Sequence, residues 1–266
     1  LAPREKAANA AETSRELPEN VTEEEVTVGE APWTLGGTLA LPANAEGKLP
    51  AVVLVQGSGA SDRDESAYAL KPFRDLSDAL AASGIAVLRY DKRTYVYGKE
   101  IAASADYASF TVEQEIIEDA IAAGKLLAAD PRIDSSRIYV LGHSLGAMTA
   151  PRIVSESDGL FAGMILANGT NKTLLDIMLR QNEDAIAAMT DEAARAAYTA
   201  QLDAVKAEAE ALADRTAEEA QGMQLLGQPA LYFWDMVQKP TAAEDLTELK
   251  KPAIIINGSR ELQRRE

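Results

Sequence analysis

Arg137-Ile138-Tyr139-Val140-Leu141-Gly142-His143-Ser144-Leu145-Gly146-Ala147-Met148-Thr149-Ala150 is the stretch on which the reading of this chain turns. Its first five residues form a short apolar and β-branched run, which predicts a buried strand. Its last four predict the start of a helix. Between them a serine stands on a sharp strand-to-helix turn. Such a turn strains the backbone at the serine and admits only small residues two positions before and after it. Gly142 and Gly146 meet that demand. The Ser144 hydroxyl is then exposed at a helix N-terminus, where the dipole favours negative charge. A serine so placed is expected to be a nucleophile.

Composition narrows the classes around it. The 266 residues are 47% hydrophobic and 26% charged, ordinary proportions for a globular domain large enough to bury a core and carry an insertion. A formal net charge of −16 argues against nucleic acid as a partner, because the chain offers no basic stripe to neutralise phosphates. With no Cys there is neither a disulfide nor a thiol nucleophile, and a single His rules out a multi-His metal centre. No metal site and no cofactor are expected. No apolar run reaches the length of a membrane span, and the N-terminus lacks a signal-peptide core. The compartment stays open: a soluble protein of the cytoplasm, or one secreted after processing.

The order of elements gives the fold class. Glu25-Val26-Thr27-Val28-Gly29 and Thr38-Leu39-Ala40-Leu41 read as two antiparallel strands joined through Gly36-Gly37. Ala51-Val52-Val53-Leu54-Val55 is a continuous apolar run, as expected of a strand covered on both faces. Gly57-Ser58-Gly59 breaks it. Pro72 opens a helix with Phe73, Leu76 and Leu80 on one face, and Ile85-Ala86-Val87-Leu88 is the next buried strand. Thr111-Val112-Glu113-Gln114 has the form of a capping box, opening a helix that ends before Asp130-Pro131. The Ser144 strand and helix follow, with a kink or early end expected at Pro151. A further strand is expected over Gly163–Ala167.

Strands alternating with helices predict an α/β fold, a mostly parallel sheet with helices on both faces. The alternation stops over residues 171–240, where Ile186, Met189, Ala193, Ala197, Leu202, Val205 and Leu212 recur at helical spacing in an acidic, Ala-rich background. It resumes at Pro252-Ala253-Ile254-Ile255-Ile256. The division expected is an N-terminal arm or linker over 1–22, a first core part over 23–170, a helical insertion over 171–240 and a final core part over 241–266.

These residues resemble the α/β-hydrolase superfamily, and within it bacterial serine esterases and lipases. The resemblance is carried by Gln56-Gly57-Ser58-Gly59-Ala60-Ser61-Asp62-Arg63-Asp64-Glu65, by Lys71-Pro72-Phe73-Arg74-Asp75-Leu76, by Leu88-Arg89-Tyr90-Asp91-Lys92-Arg93 and by the Ser144 turn. It implies hydrolysis of a small-molecule carboxylic ester through a Ser–acid–His triad, without a cofactor, under a helical lid formed by the insertion. It also implies that the N–H groups of Leu145 and Ser58 form the oxyanion hole, with Gly59 a close second to Ser58. It places the triad acid at Glu261, where Asp is more usual. Gly59, Tyr232 and Trp234 are candidates for the substrate pocket, the last two just after the insertion helices, and the charges at Asp62, Arg63, Asp64, Asp91 and Arg93 for ion pairs that hold the oxyanion loop.

The base stands apart. The resemblance puts the triad His on a loop after an eighth strand, and the 266 residues stop before either. His143 adjoins Ser144 on the turn, so its side chain is expected to diverge from the hydroxyl. The expectation is therefore a serine esterase framework, C-terminally shortened and impaired in catalysis. Two alternatives stay open: a thioesterase or peptidase of the same chemistry, and a non-catalytic, hydrolase-like binding protein. Without the eighth strand, residues 253–256 would form a sheet edge prone to self-association.

Overall fold

The computed structural model describes residues 16–258. In chain order it contains β1 (Val21–Val28), β2 (Leu35–Pro42), β3 (Leu49–Val55), α1 (Pro72–Ala82), β4 (Ala86–Tyr90), α2 (Arg93–Ala103), a π-helical turn (Glu113–Ile117) running into α3 (Glu118–Ala129), β5 (Ile133–His143), α4 (Leu145–Glu156) and β6 (Gly163–Ala167). After these come α5 (Leu174–Ala187), α6 (Glu192–Leu212), α7 (Ala217–Gln221), the short pair β7 (Gln224–Leu225) and β8 (Gln228–Pro229), α8 (Ala230–Gln238), α9 (Ala242–Leu249) and β9 (Ala253–Ile256).

Seven strands form one sheet in the order β1-β2-β4-β3-β5-β6-β9. β1, β2 and β4 pair antiparallel, and every pair from β4 to β9 is parallel. The stretches Ala51–Val55 of β3, Ala86–Leu88 of β4 and Ile138–Leu141 of β5 carry no charged residue, because they are covered on both faces. Val53, Val55 and Val140 turn to the face packed by α3 and α4, whereas Val52, Leu54 and Leu141 turn to Phe73 and Ala81 of α1. Each such side chain, fully withdrawn from water, contributes about 2 kcal/mol of transfer free energy. This is the doubly covered α/β sheet that the alternation of elements predicts.

Three local expectations are corrected. Gly36 and Gly37 do not turn the chain; they sit within β2, opposite Thr27 and Val26. Their reason is close approach, since a Cβ on Gly36 would lie 2.6 Å from the Arg63 guanidinium and one on Gly37 3.1 Å from the Arg89 carbonyl. Pro151 does not end its helix, because α4 continues to Glu156. In the insertion, Ala193 and Ala197 are exposed, and only Leu202 and Leu212 of α6 are buried. The N-terminal half of that helix is therefore largely exposed.

β1 begins at Val21, so the last residues of the supposed arm belong to the sheet. At the other side of the sheet, β9 pairs only with β6 among the described residues, and Ile254, Ile255 and Ile256 are exposed. No helix among the described residues is long and apolar enough to cross a membrane.

Candidate active site

Ser144 sits between the end of β5 and the start of α4 with φ 52° and ψ −112°. A non-glycine residue at positive φ with that ψ is strained by about 1–3 kcal/mol, and the surrounding contacts must hold it there. They do so through backbone bonds. The Ser144 N–H donates to the Ala167 carbonyl at the end of β6 (3.0 Å), and the Ser144 carbonyl accepts from the Met148 N–H (3.0 Å). The two glycines are steric requirements: a Cβ on Gly142 would overlap the Gly146 carbonyl, and one on Gly146 would overlap the carbonyl of Val55. The turn is thus wedged against the end of β3.

Where β3 ends, the loop that follows passes beside Ser144. Gln56 is buried and its amide donates to the Tyr90 carbonyl at the end of β4. The Gly57 N–H donates to Glu65 Oε1 (2.7 Å), and the same oxygen meets His143 Nδ1 (2.9 Å). Ser58 and Gly59 then stand exposed at the mouth of a cavity of about 490 Å³ that also contains Ser144, Glu115, Tyr232 and Phe233. Among the described residues the Ser58 N–H meets no acceptor. Leu145 is the first residue of α4, so its N–H is one of the unpaired donors of a helix start. The geometry therefore gathers one strained serine, two available N–H groups and a cavity lined by Ile101, Phe110, Met148, Leu174, Ile177 and Met178.

A sequence profile of the alpha/beta hydrolase family matches residues 52–265. The chain belongs to this family. Esterase EstD of Thermotoga maritima is 35% identical over 248 residues, which cover 92% of this chain and 53% of that protein. The chain thus spans about half the length of the curated relative it matches. Among solved structures, hypothetical protein PA2218 from Pseudomonas aeruginosa superposes with a TM-score of 0.55 at 15% identity, over 96% of this chain and 83% of that one. Est1E from Butyrivibrio proteoclasticus superposes with a TM-score of 0.53 at 14% identity, over 88% and 77%. Both share the fold.

The other residues singled out in the sequence are distributed as follows. Tyr232 and Gly59 line the cavity, but Trp234 does not. Two residues apart on a helix point to different sides, and the Trp234 indole instead donates to the Arg215 carbonyl (2.8 Å). Glu261 lies outside the described residues. Among the described residues Arg63, Asp64 and Asp91 form ion pairs on the loop, whereas Arg93 pairs with α3 and Asp62 binds backbone N–H groups. Arg63 makes a bidentate pair with Asp91 and reaches Glu25 (2.7 Å), and Asp62 Oδ1 accepts from the N–H groups of Asp64 and Ser66. Arg93 pairs with Asp119 (2.5 Å), where burial, against the pull of Arg93, pushes the carboxyl up to about 6. No group of three or more His, Cys, Asp and Glu side chains that could hold a metal ion occurs among the described residues.

Arg89 is the anchor of the loop that runs from Ser61 to Lys71. Only 3% exposed, it pairs with Asp64 and with Glu23 (2.5 Å). Removing one partner of a buried pair leaves the other charge stranded, at a cost of about 3 kcal/mol or more. Arg89→Ala is therefore expected to lower stability by that amount, read as the shift of the urea midpoint. A shift below about 0.5 kcal/mol, as at an ordinary surface site, would show that the pair does not hold the loop.

Residues that the sequence reading did not single out complete the surroundings. Lys92 is 2% exposed and donates to the Gly57 carbonyl (2.8 Å) and to Glu115 Oε1 (2.8 Å). Glu115 Oε2 accepts from the Tyr232 hydroxyl (2.5 Å). Burial first, then the Glu115 charge, raises the Tyr232 hydroxyl well above its ordinary range, so it keeps its proton and donates. The one signal in the sequence was a lysine and a glutamate at positions that pack as core.

Proposed function

We propose that the chain is the framework of a serine hydrolase that cleaves small carboxylic esters through an acyl-enzyme on Ser144. The observation that carries this reading is the strained Ser144 turn, φ 52° between β5 and α4, opening onto the same cavity as Ser58. A backbone held in a costly conformation at a cavity mouth is the mark of a positioned nucleophile. In this reading the Ser144 hydroxyl attacks the ester carbonyl, the alcohol leaves, and water later releases the acid. The N–H groups of Ser58 and Leu145 take the developing oxyanion, each contributing about 3 kcal/mol to the transition state. The apolar cavity wall receives the acyl chain, and residues 171–240 act as the lid above it.

The 266 residues contain one histidine, whose Nδ1 is engaged by Glu65. We further propose that these residues by themselves supply no base for Ser144 and so acylate slowly. Free imidazole then supplies the missing function. With p-nitrophenyl acetate, imidazole is expected to raise the rate of the wild-type chain well above that of Ser144→Ala at the same imidazole concentration. Equal rates in the two proteins at every concentration would contradict the reading. No ester hydrolysis beyond the blank, with or without imidazole, would favour a binding role for the cavity.

β9 is further proposed to mediate association between copies, because the exposed apolar side chains of Ile254 and Ile255 offer a surface to a second chain. Light scattering is expected to show association that rises with concentration and falls in Ile255→Lys. A strictly monomeric wild-type protein at high concentration would contradict it.

A further inference from the structure

We infer that Lys92, held by Glu115, is the positioning residue for the Ser58 N–H, and that Tyr232 ties this setting to the seating of α8. The inference rests on the proposed role of Ser58 and goes beyond it.

The Gly57 carbonyl and the Ser58 N–H belong to one peptide unit. That unit is planar and trans, so its C=O and N–H point in opposite directions, and fixing one fixes the other. Lys92 Nζ fixes the carbonyl from the buried side at 2.8 Å. The opposite edge of the plane then presents the Ser58 N–H at the cavity mouth. A cation on the carbonyl also draws electron density through the amide and strengthens its N–H as a donor, the ordinary cooperativity of linked hydrogen bonds. On the preceding peptide unit, Glu65 grips the Gly57 N–H at 2.7 Å, so both peptide planes flanking Gly57 are set by charged side chains.

Stability does not account for this arrangement. A buried Lys–Glu pair is seldom better than apolar side chains of the same volume, because desolvation offsets the attraction. Here the pair is nearly dry, with side-chain exposures of 2% and 7%, and its third partner comes from far along the chain. Tyr232, 117 residues beyond Glu115, donates to the carboxylate oxygen that Lys92 leaves. Thr94 lies 3.4 Å from the other oxygen. Glu115 is itself carried by the π-helical turn at the start of α3, a distortion that recurs at functional sites. A continuous set of bonds thus runs from α8 through Tyr232, Glu115 and Lys92 to the Gly57–Ser58 peptide. Glu115 and Tyr232 line the cavity that Ser58 and Ser144 also line, so occupancy of the cavity and the seating of α8 bear on the same peptide.

Lys92→Met alone would strand the Glu115 charge, so the informative variant is Lys92→Met with Glu115→Gln. In the 15N-labelled chain, its Ser58 amide proton is expected to shift upfield and to exchange faster. Phosphonylation of Ser144 by a fluorophosphonate is expected to slow about tenfold, a fraction of the loss on removing an oxyanion donor, at unchanged half-saturating probe concentration. Tyr232→Phe should move both readouts in the same direction by a smaller factor, with circular dichroism unaltered, and it decides the matter if the double variant does not fold. A folded variant with the Ser58 resonance and labelling rate of wild type would overturn the inference. Labelling that persists in Ser144→Ala would instead remove the serine reading, while the Ser58 resonance would still report on Lys92.

Discussion

Ser144→Ala is expected to abolish covalent capture of a fluorophosphonate probe while leaving the fold intact. The strain at Ser144 is a property of the turn, imposed by Gly142 and Gly146 and by the bonds to Ala167 and Met148. Alanine fits the same space, so circular dichroism and the urea midpoint should stay within about 0.5 kcal/mol of wild type. Ser144 is the hydroxyl proposed to carry the adduct, so its removal is expected to leave no covalent label. Turnover is a poorer readout. Members of a triad act as a unit, and removing one costs about as much as removing all. On the proposal that these residues supply no base for Ser144, the further loss from Ser144→Ala in plain buffer is therefore small, whereas the loss of the covalent adduct is complete. A probe adduct on the Ser144→Ala protein at the wild-type rate would place the reactive group elsewhere.

The second large effect concerns the glycine that lets the turn touch the sheet. A Cβ on Gly146 would overlap the carbonyls of Val55 and Gln56 at the end of β3. Both are backbone groups of a central strand and its exit loop, so neither can yield as the tip of a flexible side chain would. Gly146→Ala is expected to lower stability by about 3 kcal/mol or more, at the upper end for overpacking. It should also displace Ser144 from the Ser58 N–H, with loss of labelling even in the fraction that folds. Gly98→Ala is the contrast. That glycine lies in α2 with nothing within 4 Å of an added Cβ, and the substitution is expected to be neutral or to stabilise by about 0.5 kcal/mol. Urea denaturation of the two variants side by side checks both; equal midpoints would contradict the packing described for the turn.

What could be read from the sequence was whatever local sterics or continuous burial dictate. β3 and β4 announce themselves through Ala51–Val55 and Ala86–Leu88, apolar runs covered on both faces, and the Ser144 turn because only glycine fits its flanks. Gly36-Gly37 misled for the opposite reason: they are glycine because the Arg63 guanidinium and the Arg89 carbonyl press on β2, a tertiary cause that leaves no local pattern. α2 has no continuous apolar face. Its seat rests on Arg93 with Asp119, on Ile101, and on Tyr97 packed edge-to-face against Trp33. Trp234 illustrates the limit of reading aromatics by proximity, since helical phase sends Tyr232 into the cavity and Trp234 away from it. The Lys92–Glu115–Tyr232 network could not be assembled from the sequence, because its members lie 23 and 117 residues apart and only tertiary packing brings them together.

The proposed mechanism requires that Ser144 Oγ is the atom acylated. Prolonged incubation with p-nitrophenyl acetate, an acid quench and peptide mass mapping test this directly. A single acetyl group is expected on the peptide that contains Ser144, and it is lost in Ser144→Ala. An acetyl group found only on lysine or tyrosine side chains, or none on the Ser144 peptide when p-nitrophenol has been released, would contradict it.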